Sequence, residues 1–142
     1  MTQETKHIPS LNPIKHPNIL LVDDNESINF FNKVMIQKFD NQINITSSRN
    51  GLEALKQVKL LFKQSSYFDI IFLDINMPVM DGWEFLNELN KENLLSKDSK
   101  IVFTIGRELN NEDKTRISEY NINYLFSKKM ISKDILTELI TF

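Results

Sequence analysis

A short apolar run that ends abruptly in an acid is the feature that most constrains how this chain can fold. Residues 70–73 are Ile-Ile-Phe-Leu and are followed directly by Asp74, after which come an Asn, a Pro and an Asp-Gly pair. A continuous apolar run between turn residues is typical of a strand buried on both faces of a parallel sheet, although a buried helical segment gives the same pattern. Because ligands bind at the carboxyl edge of such sheets, Asp74 is a candidate site residue as well as a candidate loop acid.

The same pattern occurs earlier in the chain, where residues 18–22 are Asn-Ile-Leu-Leu-Val and are followed by Asp23-Asp24. Further strands are predicted at residues 43–46, 101–105 and 122–126. Between the strands, apolar residues recur at helical spacing after residues that commonly cap helices. The helices are predicted to begin near Ser27, Asn50, Asp81, Asn110 and Ser132.

Strands and helices that alternate in this way predict the α/β class, with one five-stranded parallel sheet and helices on both of its faces. A length of 142 residues suits one domain of this kind. The chain has too few strand-helix units for a barrel of eight. A dinucleotide-binding fold is disfavoured because the turn at residues 23–26 is acidic and contains no glycine.

Composition suggests where the folded domain begins and which partners are unfavourable. Residues 1–17 contain three prolines and two histidines without apolar periodicity, so we predict a flexible N-terminal extension at 1–17 and a folded domain at 18–142. His7 and His16 are expected to be solvated.

The formal net charge of −2 favours neither nucleic acid nor a membrane as a partner. The chain has no cysteine and no apolar segment typical of a membrane span or a signal peptide, so a cytoplasmic location is expected.

Three acids are expected to meet at the carboxyl edge of the predicted sheet. Asp23, Asp24 and Asp74 follow the first and third strands, whose ends lie at the same edge if the strands are parallel. Each like-charged pair at roughly 4 Å costs about 4 kcal/mol at an effective dielectric constant of about 20. Such a cluster must take up protons or bind a cation, and a few carboxylates with room for water and phosphate suit Mg²⁺.

Polar and basic residues follow the two remaining strands. Thr104 ends the fourth strand, and Ser127 with Lys128-Lys129 follows the fifth. A carboxylate nucleophile, a cation, an ammonium group and a hydroxyl are the groups that phosphoryl transfer to an aspartate requires. The spacing therefore indicates phosphoryl chemistry at this edge, although exposed lysines are more often solubilising.

In this combination and order, the motifs resemble the receiver domain of two-component response regulators. The segments that carry the resemblance are residues 19–24 (Ile-Leu-Leu-Val-Asp-Asp), 50–55 (Asn-Gly-Leu-Glu-Ala-Leu), 70–82, and the lysine after the fifth strand. The resemblance runs from about Asn18 to the carboxyl terminus. It implies the flavodoxin-like strand order 2-1-3-4-5.

The resemblance also implies a role for each matching residue. Asp74 corresponds to the phosphoacceptor, which takes a phosphoryl group from a phosphohistidine. Asp24 corresponds to a direct Mg²⁺ ligand and Asp23 to a neighbour that acts largely through water. The backbone carbonyl of Asn76 completes the metal site, and Lys128 pairs with the acceptor and then with the phosphoryl group.

Three positions depart from the family pattern and leave alternatives open. The switch hydroxyl is Thr104 if residues are counted from Asp74, whereas counting from the start of the strand places Ile105 there. The lysine usually precedes a proline, and here either Lys128 or Lys129 can be the working residue. If Lys128 sets the register, Leu125 occupies the position of the fifth-strand aromatic residue.

The resulting expectation is a stand-alone phosphoacceptor and not an enzyme that acts on other molecules, because little sequence follows the last predicted helix. Its partners would be a sensor histidine kinase or histidine phosphotransfer protein, together with a downstream protein that binds the switched surface. The alternative is a receiver-like interaction module that does not switch. An aspartyl-phosphate phosphatase is disfavoured because Asn76 stands where a second acid would be needed.

Overall fold

Strands and helices alternate along the chain in the computed structural model, which describes residues 5–6, 13–105 and 109–141. In chain order, the strands are β1 (Thr5–Lys6), β2 (Ile14–Lys15), β3 (Asn18–Val22), β4 (Asn44–Ser48), β5 (Ile70–Leu73), β6 (Lys100–Thr104), β7 (Asn123–Ser127) and β8 (Ile140–Thr141). The helices are α1 (Glu26–Phe39), α2 (Gly51–Lys63), α3 (Gly82–Glu92), α4 (Asn111–Ser118) and α5 (Lys133–Leu139). No helix within these described residues is long and apolar enough to cross a bilayer.

The five predicted strands form the parallel part of one sheet, in the order β4-β3-β5-β6-β7. This is the predicted order 2-1-3-4-5, so the predicted α/β fold class is confirmed. The register pairs Val22 of β3 with Leu73 of β5. Asp23 and Asp74, which follow these residues directly, therefore leave the sheet side by side at its carboxyl edge.

Both faces of the sheet are covered, and the alternation of side chains along β3 shows how. Ile19 and Leu21 point to the face that is covered by α1 and α5, whereas Leu20 and Val22 point to the opposite face. The first cluster includes Ile36 of α1 and Ile135, Leu136 and Leu139 of α5. The second includes Leu55 of α2, Phe85 and Leu86 of α3, and Ile117 of α4. Burial on both faces explains why the central strands are apolar throughout.

The helix starts follow the predicted capping residues. The side chains of Asn50, Asp81, Asn110 and Ser132 each accept a hydrogen bond from the backbone amide three residues later. Such caps satisfy amides that lack a partner within the helix and each stabilise a helix by about 1 kcal/mol. α1 begins slightly earlier than predicted because Asn25 is its cap.

Parts of the predicted N-terminal extension pair with the domain. β1 pairs with β7 in antiparallel orientation, and β2 pairs with β8 in parallel orientation. Nδ1 of His16 lies 2.7 Å from Oδ2 of the buried Asp40, next to the end of α1, so His16 contacts the domain instead of being solvated. His7 and most of the predicted flexible segment lie outside the described residues.

The loop between β5 and α3 is held by two glycines that leave no space for a side chain. The amide of Gly51 donates to the carbonyl of Met80, and the amide of Gly82 donates to the carbonyl of Ile75, each at 2.8 Å. A Cβ atom at Gly51 would lie 2.7 Å from the Met80 oxygen, and one at Gly82 would lie 2.8 Å from the Asp74 oxygen. The first residue of α2 therefore fixes the path of the loop that follows Asp74.

Val79, in the same loop, has a strained backbone. Its φ angle is 68°, in the left-handed region, and its side chain is 74% exposed. Left-handed backbone is unfavourable for L-residues and most unfavourable for β-branched ones, whereas asparagine tolerates it. Because the side chain is exposed, little packing offsets this strain.

We therefore expect Val79→Asn to raise the free energy of unfolding by about 1 kcal/mol, because it relieves the left-handed strain. Urea denaturation measured without added metal gives this difference directly. Val79→Thr is the matched control, since it keeps the β-branch while changing polarity, and it should leave the midpoint near that of the wild type. Equal stability of the Asn and Thr variants would contradict the argument from strain.

Candidate functional site

The acids that follow β3 and β5 converge at the carboxyl edge of the sheet. One carboxylate oxygen from each of Asp23, Asp24 and Asp74 lies within 4.8 Å of the others. Asp23 and Asp74 are buried, at 3% and 4% exposure, whereas Asp24 is exposed. This is the juxtaposition that the parallel strand arrangement predicted.

Backbone and side-chain hydrogen bonds hold the two buried acids in place. The amide of Asp74 donates to the carbonyl of Val22 at 2.9 Å, and the amide of Asp23 donates to the carbonyl of Ser48 at 3.1 Å. From α1, Nδ2 of the buried Asn29 donates to the carbonyls of both Asp23 and Ser48. The strand ends that carry the acids are therefore tied to one another and to α1.

Lys129 supplies the positive charge at the site. Its Nζ lies 3.1 Å from Oδ2 of Asp74 and 3.5 Å from Oδ2 of Asp23. Lys128, to which the family resemblance assigns this role, is exposed. Of the two lysines left open by the sequence, Lys129 is the one that lies beside the acids.

The position of β7 explains why Lys129 lies beside the acids. The strand was predicted to end at Phe126, but it continues to Ser127, which pairs with Thr104 of β6. Adjacent residues in extended backbone point in opposite directions, so a shift of one residue exchanges which lysine faces the acids. If Lys129 sets the register, Phe126 takes the position that Leu125 has when Lys128 sets it.

The acids and the lysine perturb one another. Burial raises the pKa of Asp74; Lys129 opposes this shift, while the charges of Asp23 and Asp24 add to it. For Lys129, burial disfavours the charged form, but its interactions with Asp74 and Asp23 outweigh burial and raise its pKa. Lys129 is therefore an ammonium at neutral pH, and it offsets only part of the effect of burial on the pKa of Asp74.

The residues present suit a hard divalent cation. Oδ2 of Asp23 and Oδ2 of Asp74 are buried and have no aligned hydrogen bond, although Lys129 lies close to both. Buried carboxylate oxygens in a cluster of three acids are suitable ligands for an ion that prefers oxygen. Asn76 lies two residues beyond Asp74, at the exposed start of the loop.

Thr104 occupies the strand end next to Asp74. Phe103 pairs with Leu73, so Thr104 lies beside Asp74 in the register of the sheet. Thr104 is buried and Ile105 is partly exposed after the end of β6. Of the two alternatives for the hydroxyl position, the structure favours Thr104.

An aromatic cluster extends from this edge towards α4. The Phe103 ring contacts the rings of Trp83 and Phe126, with centroids 6.3 Å and 5.7 Å away. The guanidinium of Arg116 in α4 lies 5.1 Å from the centre of the Trp83 ring. Phe103, the neighbour of Thr104, is therefore connected by packing contacts to β7 and, through Trp83, to α4.

Sequence reasoning missed the polar residues of α1 that support the site. Asn29 and Asn32 are buried, although they lie on a helix whose inward face was predicted from its apolar residues alone. Their spacing of three residues places them on the same side of the helix, next to the acidic turn. The sequence feature that could have identified these residues is a pair of asparagines three positions apart in the helix that follows Asp23 and Asp24.

Comparison with known proteins identifies the family. A model of the response regulator receiver domain matches residues 19–140. The chain is 31% identical over 136 residues to hybrid signal transduction histidine kinase B of Dictyostelium discoideum. The aligned region covers 89% of this chain and 6% of that protein. The chain therefore belongs to the response regulator receiver domain family.

Solved structures with the same fold support this assignment. A two-component response regulator from Cytophaga hutchinsonii matches with a TM-score of 0.74 at 25% identity, over 87% of this chain and 92% of that one. The chemotaxis protein CheY4 of Vibrio cholerae matches with a TM-score of 0.64 at 26% identity, over 89% of this chain and 95% of that one. By contrast, the chain spans 6%, 54% and 33% of the lengths of three curated relatives.

The raised pKa of Asp74 predicts how stability depends on pH. A carboxyl group whose pKa is higher in the folded than in the unfolded state lowers stability as the pH rises above the unfolded value, here 3.8. Above the folded-state pKa this loss is complete. We therefore expect Asp74→Asn, which cannot ionise, to be more stable than the wild type at pH 7 without divalent metal.

Urea unfolding of both proteins across a pH series measures this effect. The advantage of Asp74→Asn should shrink as the pH falls and disappear below 3.8, where the wild-type carboxyl is protonated in both states. A variant that is less stable than the wild type at pH 7 would show that the ionised Asp74 is net stabilising.

Proposed function

We propose that this chain is a phosphoacceptor of a two-component phosphorelay and that Asp74 receives the phosphoryl group. The observation that carries the proposal is a buried Asp74 that lies 3.1 Å from Lys129 and beside Asp23 and Asp24, in a chain of the receiver family. Placing one ammonium and two further acids around a single carboxylate has a clear purpose if a cation and a phosphoryl group bind there. The donor is a phosphohistidine of a sensor kinase or a phosphotransfer protein.

The proposed step is a displacement at phosphorus. An oxygen of Asp74 attacks the phosphorus atom, the P–N bond of the phosphohistidine breaks, and its electron pair stays on the imidazole nitrogen. When the other ring nitrogen of the phosphohistidine carries a proton, the products are an aspartyl phosphate and a neutral imidazole that keeps this proton. Asp74 must be ionised to attack, and Lys129 favours this state by opposing the effect of burial on its pKa.

Asp23, Asp24 and Asp74, with the backbone carbonyl of Asn76, are the residues that would hold Mg²⁺. When bound, this ion supplies positive charge that stabilises the phosphoryl oxygens in the transition state. Lys129, in the loop that follows β7 at the same edge of the sheet, adds a second positive charge. The hydroxyl of Thr104 is the group that would donate to the transferred phosphoryl group and so report its presence.

The output would be a change in a protein-binding surface. Thr104 adjoins Phe103, which packs on Phe126 of β7 and on Trp83, and Trp83 in turn contacts Arg116 of α4. A shift of Thr104 towards a phosphoryl group would bias this cluster, and a downstream protein would bind one of the two states more tightly. The cytoplasmic location and the stand-alone action expected from the sequence stay predictions.

Acetyl phosphate with Mg²⁺ tests the proposal without a partner protein. The wild type should gain one phosphoryl group in intact-mass measurements, because Asp74 can displace acetate from phosphorus. Asp74→Asn should gain none, since an amide is a poor nucleophile.

Asp98→Asn is the matched control for this experiment. Asp98 is an exposed acid before β6, at the opposite edge of the sheet, and its variant should be phosphorylated as the wild type is. Failure of the wild type to gain a phosphoryl group would favour the alternative, a receiver-like module that binds partners without switching.

Metal binding makes a separate prediction. Mg²⁺ at 100 times its dissociation constant should raise the free energy of unfolding by about 2.7 kcal/mol, because it binds only the folded cluster. Asp24→Asn should lose most of this gain, and Asp98→Asn should keep it. Thermal unfolding with and without Mg²⁺ provides the measurement, and equal gains for both variants would exclude the acidic cluster as the binding site.

A further inference from the structure

Asn32 of α1 makes two hydrogen bonds to the loop that carries Lys129. Its Nδ2 donates to the carbonyl of Lys129 at 2.9 Å, and its Oδ1 accepts from the amide of Ile131 at 2.8 Å. The two bonds fix the orientation of the amide, because exchanging nitrogen and oxygen would place donor against donor and acceptor against acceptor. Asn32 is only 3% exposed, so water does not readily replace either bond.

These bonds hold the backbone on both sides of Met130. Ile131 is buried in the core cluster with Ile36 of α1, whereas Met130 is half exposed and contributes little packing. The peptide that follows Lys129 is thus fixed by the side chain of Asn32 on one helix and by the burial of Ile131. From this backbone, Nζ of Lys129 extends to within 3.1 Å of Asp74.

The need for such support follows from the sequence of the loop. Lys129 precedes Met130, so no proline ring restricts the backbone directly after the lysine. Methionine leaves φ free and keeps its amide. A long lysine side chain on an unrestricted loop would lose more conformational entropy when it is held against Asp74.

We propose that Asn32 is a positioning residue, which restrains the backbone of Lys129 so that its ammonium lies against Asp74. Its action on phosphoryl transfer rests on the function proposed above, whereas its action on the placement of Lys129 does not. Within the described residues, the hydrogen bonds of Asn32 go to the backbone of Lys129 and Ile131 and not to Asp74. It works through the loop, much as the ring of a proline restricts a chain.

A double-mutant cycle tests the effect on phosphorylation by acetyl phosphate. Lys129→Ala should slow the reaction roughly 100-fold, because a positioned charge is lost. Asn32→Ala should slow it about tenfold, because the charge is displaced but still present. In the Lys129→Ala background, Asn32→Ala should have no further effect, since the group it positions is gone.

Asn123→Ala is the matched control for the loss of a buried amide. Asn123 is buried at the opposite edge of the sheet, and its Nδ2 also donates to backbone carbonyls, those of Lys97 and Ser99. This variant should lose stability while the phosphorylation rate of its folded fraction stays at that of the wild type. Equal slowing by Asn123→Ala, or additive effects of Asn32→Ala and Lys129→Ala, would reduce Asn32 to a structural role.

A second measurement does not depend on phosphorylation. Acetylation of lysine amines by an N-hydroxysuccinimide ester, followed by peptide mass spectrometry, compares Lys129 with the exposed Lys128 and the buried Lys100. In the wild type Lys129 should react several-fold more slowly than Lys128, because its ammonium is paired. In Asn32→Ala the rate of Lys129 should approach that of Lys128, while Lys100 stays protected.

The two measurements separate the possible failures. A wild type that is not phosphorylated but shows the labelling change in Asn32→Ala would contradict the proposed function and support the positioning role. Unchanged labelling of Lys129 in Asn32→Ala would overturn the positioning role whatever the phosphorylation result. Simultaneous exposure of Lys100 would show general unfolding and would also overturn it.

Discussion

Repulsion among Asp23, Asp24 and Asp74 is the constraint on which the rest of this site depends. The parallel register of β3 and β5 forces these acids together, and burial of two of them strengthens the repulsion. A fold that tolerates such a cluster needs a compensating charge at a fixed place. Lys129 provides this charge. Hydrogen bonds from α1 to the neighbouring strand ends and to the Lys129 loop hold the charged groups in place.

The residues that depend on strand order were predictable from the sequence. An apolar run that ends in an acid identifies a central parallel strand, and the rule that strand ends share one edge then brings together acids that are distant in the chain. Asp23, Asp24 and Asp74 lie together as this reasoning predicted, and of the two residues left open at the end of the fourth strand, Thr104 lies beside Asp74 in the register. The cap residues were equally accessible, because capping depends on local chemistry.

The lysine was harder to predict because it depends on a single residue of register. Apolar residues continue through Phe126, but pairing with Thr104 extends β7 to Ser127, and this pairing is a tertiary property. The contacts of His16 with Asp40 and of Asn32 with the Lys129 loop are tertiary in the same sense. No local pattern reports which distant backbone group a buried amide will bind.

The contacts of Trp83 give this protein an internal optical reporter. The chain has one tryptophan, and it is held between the ring of Phe103 and the guanidinium of Arg116. A change in the spacing of β6 and α4 must alter the electric field and the quenching at a single indole. Emission of the unmodified protein would therefore report such a change without a label attached to its surface.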